Sequence, residues 1–287
     1  MKVLITGASG FLGTKLLDMF VGKAEVLGTY HSHPKERLVL LDVTNAVQTR
    51  EVIAGFHPDI VIHTVALSDP DVCEQRREDA EKINYIGTKN IVNACREVKA
   101  RLDYISTIYV FNGEKGHYSE EDTPNPINWY GETKLRAEQE VATLPHYGIY
   151  RFDKLYGYNG EGKPNDILSK VATGKPFEVN NNLVRQPLLI DDVGRALQLV
   201  QKLGLNGVFH LAGPDSMSKY ELTVELAKLI GRETLVIPIL GKEQLARRPK
   251  DASIVTSKMK RIGMKFTPLS EAMRVIEASL PKTTLER

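Results

Sequence analysis

The chain opens on KVLITG (2–7), an apolar run that passes through GASGFLG (7–13) into the amphipathic FLGTKLLDMF (11–20). Strand, glycine turn and helix in that order leave few architectures open. Glycines fall at 7, 10 and 13. The first allows a tight turn, the second lets backbone approach a pyrophosphate, and the third lets the helix pack close to the sheet. The helix start then offers N–H groups and the positive end of its dipole to phosphates. A glycine turn without a ligand is the plain alternative. The residues a dinucleotide would meet here are Gly7, Ser9, Gly10, Phe11, Leu12 and Gly13.

The same alternation continues. Strand patterns at 24–30, 37–43, 59–66, 102–111 and 147–152 are interleaved with helical patterns at 44–55, 77–99 and 130–143. Near-continuous apolar strands spaced by helices predict a doubly wound α/β domain with a parallel sheet covered on both faces. After residue 152 the pattern becomes irregular, with a glycine-rich loop at 157–166 and a strand, an Asn-rich turn, a strand and a helix over 176–200. A last strand is expected at 207–213, then helices at 218–231 and 269–279. The division expected is a dinucleotide-binding domain over 1–158, rejoined at 186–213, and a smaller lobe from 159–185 and 214–287.

Composition serves mainly to exclude. A net charge of +2 gives no electrostatic footprint for nucleic acid, and the basic runs at 247–250 and 258–261 read as solvated faces. No apolar run approaches the ~18 residues of a membrane span. The start, MKVLITG, leads straight into a strand, so a cytoplasmic protein is expected. Cys73 and Cys95 are isolated, and fit a reducing compartment without a metal.

Cofactor choice turns on the end of the second strand. An NAD site usually carries an acid there for the ribose hydroxyls, whereas this strand runs into TYHSHPK (29–35). His31 and Ser32, with His33 and Lys35, suit a 2′-phosphate, which leans towards NADP(H) and leaves NAD(H) open; a solvated loop is the alternative. A metal between His31 and His33 lacks a third ligand nearby. Asp42, ending the third strand pattern, suits either an adenine amino group or a helix cap.

Tyr130 and Lys134 stand at i and i+4 on one helical pattern, so their side chains are neighbours. An ammonium held beside a phenol lowers its pKa from about 10 towards the working pH. Upstream, ISTIYVF (105–111) offers Ser106 and Thr107, whose directions alternate, so one of them should hold a substrate carbonyl oxygen.

These motifs, with HTVA (63–66), NYIGTKN (84–90) and YRFDKLYG (150–157), resemble the extended short-chain dehydrogenase/reductase superfamily, whose first domain is a Rossmann fold. Within it the chain is similar to the dTDP-4-dehydrorhamnose reductase family, through YSEEDTPNPINWYGETK (118–134), RQPLLIDDVGRAL (185–197) and RRPKDASIVTSK (247–258). The resemblance implies Thr107, Tyr130 and Lys134 as catalytic trio, with Tyr130 the proton donor. It implies the glycine loop, Asp42, Val43, Val65 and Ala66 as cofactor contacts, and Asn84, Arg185 and Gln186 near a nucleotide-sugar substrate. Arg151 also matches, and a structural salt bridge is expected for it. Homodimerisation is a superfamily expectation. Ile108 departs from the reductase pattern, which usually has aspartate there. ALSDPDVCE (66–74), HLAGPDSMSKYEL (210–222) and RRPKDAS (247–253) resemble as well the regulatory β-subunit of methionine adenosyltransferase, a relative that binds NADP and acts as a partner protein. The expectation is an NADP(H)-preferring reductase of a nucleotide-linked 4-keto sugar in dTDP-rhamnose synthesis. A regulatory subunit and a nucleotide-sugar epimerase are the alternatives.

Overall fold

The structure is a computed structural model that describes residues 1–160, 167–181, 183–241 and 244–280. In chain order its first half runs β1 Lys2–Thr6, α1 Phe11–Phe20, β2 Glu25–Tyr30, β3 Leu38–Leu40, α2 Ala46–Phe56, β4 Ile60–His63, α3 Pro70–Gln75, α4 Arg77–Ala80, α5 Gly87–Val98 and β5 Arg101–Ile105. Then come α6 Trp129–Val141, β6 Tyr147–Arg151, β7 Leu155–Tyr156, α7 Ile167–Ala172, β8 Phe177–Asn180, β9 Val184–Arg185 and β10 Leu188–Leu189. The chain continues through α8 Ile190–Lys202, β11 Gly207–His210, β12 Met217–Ser218, α9 Lys219–Lys228, β13 Val236–Ile239, α10 Ser257–Arg261 and α11 Leu269–Ser279.

Seven strands form one parallel sheet in the order β11-β6-β5-β4-β1-β2-β3. The period of two along each strand divides the core. Val3, Ile5, Ile60 and Ile62 pack with α1 and α8 on one face, and Leu4, Val61 and Leu102 with α2, α5 and α6 on the other. This is the doubly wound arrangement the alternation predicts. A third core gathers Tyr156, Leu168, Val179, Leu226, Val236 and Ile276 into the smaller lobe, whose pairings are β7 with β10, β8 with β13 and β9 with β12.

Several elements are shorter than expected, for identifiable reasons. The third strand begins only after Arg37, at φ 63, and stops before Asp42, whose Oδ1 accepts from the Thr44 amide and hydroxyl. The 102–111 strand ends at Ile105. Thr107 caps a 3-10 turn over Ile108–Val110 by accepting from the Tyr109 amide, and so turns the chain away from the sheet. The helix expected at 77–99 is broken by a π turn over Glu81–Ile86 that holds Asn84. From residue 161 the expected glycine-rich loop lies outside the described residues. Residues 252–264 leave the lobe before α11 returns to it: Ala252 and Ile254 pack on Val110 and Phe111, Met259 and Met264 join the core beneath α8 and β11, and Ala272 and Ile276 are back in the lobe core. No described helix is long and apolar enough to cross a membrane.

Candidate active site

The candidate site lies at the carboxyl ends of the sheet strands, where open α/β sheets bind their ligands. Gly7 follows β1 with φ +68, and a Cβ there would stand 2.9 Å from Thr64 Oγ1 and 3.1 Å from Val65 Cγ2. Gly13 is tighter still, since its Cβ would lie 2.1 Å from the Gly7 carbonyl oxygen. The N-cap of α1 is Gly10, without a side-chain cap, and the first turn holds no acid. The backbone is therefore pressed close to the sheet and its N–H groups meet no side-chain anion of their own. Gly13→Val should disrupt this loop, at an overpacking cost of about 1–3 kcal/mol. Titration with NADPH should then show weakened binding in a protein that still melts cooperatively; unchanged affinity would refute the reading of the loop.

Ser9 and Phe11 are half-buried beside the loop and Leu12 is buried. His31 and Ser32 stand exposed just past β2, with His31 Nδ1 3.0 Å from Ser32 Oγ. Val43 is buried behind Asp42, and its carbonyl accepts from Asn90. Val65 and Ala66 are half-buried in the loop leaving β4. Asn84 holds that loop down: it accepts from the Leu67 amide at 2.8 Å and donates to the Leu67 carbonyl at 3.0 Å and to Thr133 Oγ1 at 3.1 Å. With no exposed surface, Asn84 clamps the β4 loop to α6, and in this structure its amide is committed to those three bonds.

Helix α6 begins at Asn128, which accepts from the Gly131 amide. The start is pressed against the Thr107 turn, since a Cβ on Gly131 would lie 2.1 Å from the Tyr109 carbonyl oxygen. Tyr130 and Lys134 follow on the buried face, 8% and 1% exposed. Tyr130 packs among Cys73, Leu67 and Trp129 and meets Tyr109 edge-on at 5.7 Å. Burial pushes its phenol above the ordinary range, and the Thr107 side chain pulls it part of the way back. Lys134 Nζ donates to the Ile105 carbonyl at 2.7 Å and lies 4.0 Å above the Tyr104 ring. Burial brings its ammonium down to about 7, against the pull of Glu138. The expectation that Lys134 lowers the Tyr130 pKa is not met here: the ammonium is turned to a backbone carbonyl, and desolvation dominates the phenol.

Ser106 and Thr107 diverge as alternation requires. Thr107 faces the Tyr130 side, whereas the Ser106 hydroxyl donates inward to Glu138. Glu138 also accepts from Arg151 Nε at 2.9 Å and Nη2 at 2.6 Å. This buried ion pair is the salt bridge expected of Arg151. Glu138 itself was not singled out in the sequence, although its spacing, four residues beyond Lys134, was a visible signal. His63, at the end of β4, links Thr6 Oγ1 at 2.7 Å and Thr88 Oγ1 at 3.2 Å. Burial first, and the Lys134 charge second, bring its pKa down to about 3, and His210 is likewise lowered to about 3.

Those two histidines give a stability prediction. An unfolded histidine takes its proton near pH 6.5 and these do so near 3. Between those values the unfolded chain binds more protons, so stability rises with pH across that window and is lost as pH falls through it. Melting temperatures between pH 3 and 7 should show this slope, and His63→Gln should make it shallower. A parallel curve for the variant would contradict the assignment.

Arg185 and Gln186 sit away from the glycine loop, on the wall of a cavity of ≈ 370 Å³ between the lobe and the segment 250–254. Arg185 Nε is 3.3 Å from Asp153 Oδ2, its Nη2 donates to the Pro249 carbonyl at 3.2 Å, and Gln186 accepts from the Ile254 amide. Ile108, the neighbour of Thr107, lines the same cavity. The structure thus gathers Thr107, Tyr130 and Lys134 at one place and sets Arg185 and Gln186 on a cavity wall that reaches the trio through Ile108.

The RmlD substrate binding domain family matches residues 1–279. The chain belongs to that family. Among solved structures it is similar to the dTDP-4-dehydrorhamnose reductase of Bacillus anthracis in complex with NADP, with a TM-score of 0.86, 28% identity and coverage of 97% of this chain and 99% of that one. A dTDP-4-dehydrorhamnose reductase of Clostridium acetobutylicum gives 0.84 at 31% identity, covering 97% and 98%. Among curated proteins, subunit beta of methionine adenosyltransferase 2 from Xenopus tropicalis is 30% identical over 287 residues, covering 95% of this chain and 86% of the relative. This RmlD-family chain is therefore similar in structure to dTDP-4-dehydrorhamnose reductases and in sequence to a methionine adenosyltransferase subunit beta. Among its described residues no group of three or more His, Cys, Asp or Glu could hold a metal ion.

Proposed function

We propose that this chain is an NADP(H)-preferring reductase that converts dTDP-4-dehydrorhamnose to dTDP-L-rhamnose. The observation that carries the reading is the trio itself, with Thr107 capping the turn against which the Tyr130 helix start is pressed, and Lys134 one turn further along. The glycine loop has the close backbone a pyrophosphate needs, and no acid stands at the end of β2 to repel a 2′-phosphate from His31 and Ser32. Asp42, Val43, Val65 and Ala66 would flank the adenine and the nicotinamide side. Bound NADPH would supply hydride to the keto carbon. Thr107 would hold the carbonyl oxygen and Tyr130 would give its phenolic proton to the developing alkoxide. Lys134 would hold positive charge beneath the phenolate that remains, and Arg185 and Gln186 would meet the nucleotide end.

The deciding assay is NADPH consumption with dTDP-4-dehydro-6-deoxy-L-mannose. Substrate-dependent consumption supports the reductase. Tight NADP(H) binding without turnover, together with a stable complex with a methionine adenosyltransferase catalytic subunit, would support the second reading, a regulatory subunit. That reading is favoured by one observation, the likeness over 95% of the chain to a subunit beta. NAD that stays bound through purification, with interconversion of sugar epimers, would instead mark an epimerase.

A further inference from the structure

The loop between β6 and β7 places Asp153 on the wall of the cavity that also exposes Ile108, Arg185, Lys250, Asp251 and His117. Its Oδ2 atom is buried and has no hydrogen-bond donor among the described residues. The Arg185 guanidinium lies 3.3 Å away and balances the charge, but it spends Nη2 on the Pro249 carbonyl. A buried carboxylate normally satisfies its lone pairs with donors, and this one, 11% exposed on the cavity wall and short of a donor, is a place for a ligand's O–H. A phosphate would meet the carboxylate's own charge there; a hydroxyl would not.

The position relative to the reacting centre narrows the ligand. The Ile108 amide donates to the Phe152 carbonyl at 3.2 Å, which ties the turn after Thr107 to the residue before Asp153. Tyr109 in that turn packs on Tyr130. A ring whose carbonyl is held by Thr107 and Tyr130 would therefore have Asp153 nearby, close enough for its charge to act on the Tyr130 phenol. Resting on the reductase reading, we infer that Asp153 accepts a hydrogen bond from a hydroxyl of the sugar ring and so selects which 4-keto hexose is reduced.

The test compares kcat/KM for dTDP-4-dehydro-6-deoxy-L-mannose and its 2-deoxy and 3-deoxy analogues, in the native protein, Asp153→Ala and Asp153→Asn. One deoxy analogue should be about 10- to 100-fold poorer for the native protein, as expected for a lost hydrogen bond to a charged acceptor. Asp153→Ala should fall by a similar factor on the parent sugar and treat that analogue and the parent alike. Asp153→Asn, which keeps an acceptor but no charge, should discriminate to an intermediate degree. It also guards against a folding defect in the alanine variant. Equal losses on all three substrates in both variants would overturn the inference and leave the reductase intact, as would a native protein indifferent to both deoxygenations. No turnover of the parent sugar by the native protein would overturn the reductase reading, and this inference with it.

Discussion

Tyr130→Phe should lower kcat for NADPH-dependent reduction by about 10²- to 10⁴-fold, the range general acid catalysis supplies. KM for NADPH should stay close to its native value. The phenol oxygen is the only atom removed, and the ring keeps its edge contact with Tyr109 and its packing on Cys73 and Trp129. Stability should change little. Steady-state kinetics beside a thermal melt separates the outcomes: a folded variant with near-native kcat would show that another group delivers the proton. The buried phenol, held above its ordinary range, is protonated at neutral pH, which is the state a proton donor needs. The opposite requirement falls on Lys134, which must carry charge as the phenolate forms. With its ammonium near 7, kcat/KM should fall as pH rises through that value.

Glu138→Ala should cost about 3–5 kcal/mol in urea unfolding, because it strands the Arg151 guanidinium in the interior. Glu138 and Arg151 are each only 4% exposed, so solvent does little to screen the pair. Replacing both residues by leucine should cost less than the sum of the single changes, since neither charge is then left alone. A sum that simply adds would mean the pair is not coupled. The kinetic consequence is separate from the stability loss. Lys134 is faced by Glu138 from its own helix, by Cys73 from α3, by His63 from β4, and by the Tyr104 ring from β5. Of these, Glu138 most favours the charged form. Removing it should move the falling limb of kcat/KM to lower pH, a shift that a purely structural defect would not produce.

The first 63 residues show why the fold was so legible. KVLITG followed by GASGFLG encodes strand, turn and helix locally, and the division of Val3, Ile5 and Leu4 between two cores is the period of a strand buried on both faces. Where the reading ran long, side chains acting at a distance or on their own backbone had ended the element. Asp42 and Thr107 both end β-like runs by accepting amide or hydroxyl protons two residues ahead. β-branched composition continues past both points and carries no sign of the turn. In the site, the 130–134 spacing was readable because a helix repeats locally. The bonds of Asn84 to Leu67 and Thr133, and of Glu138 to Ser106 and Arg151, join segments distant in sequence. No local pattern announces such partners. The unpaired Asp153 oxygen is invisible for the same reason, since its surroundings come from segments distant in sequence.

Gly131 has a wider consequence. Its missing side chain lets the Tyr130 helix touch the Tyr109 carbonyl, so the proposed proton donor and carbonyl holder sit on segments packed directly together. The groups at the cavity wall, Asp153, Arg185 and Lys250, come from three other stretches of chain. On the proposed reading, chemistry and choice of substrate are thus written in separate stretches of the chain. A lineage could exchange one sugar for another, or give up turnover and keep the bound nucleotide, by redrawing those stretches while position 131 stays glycine.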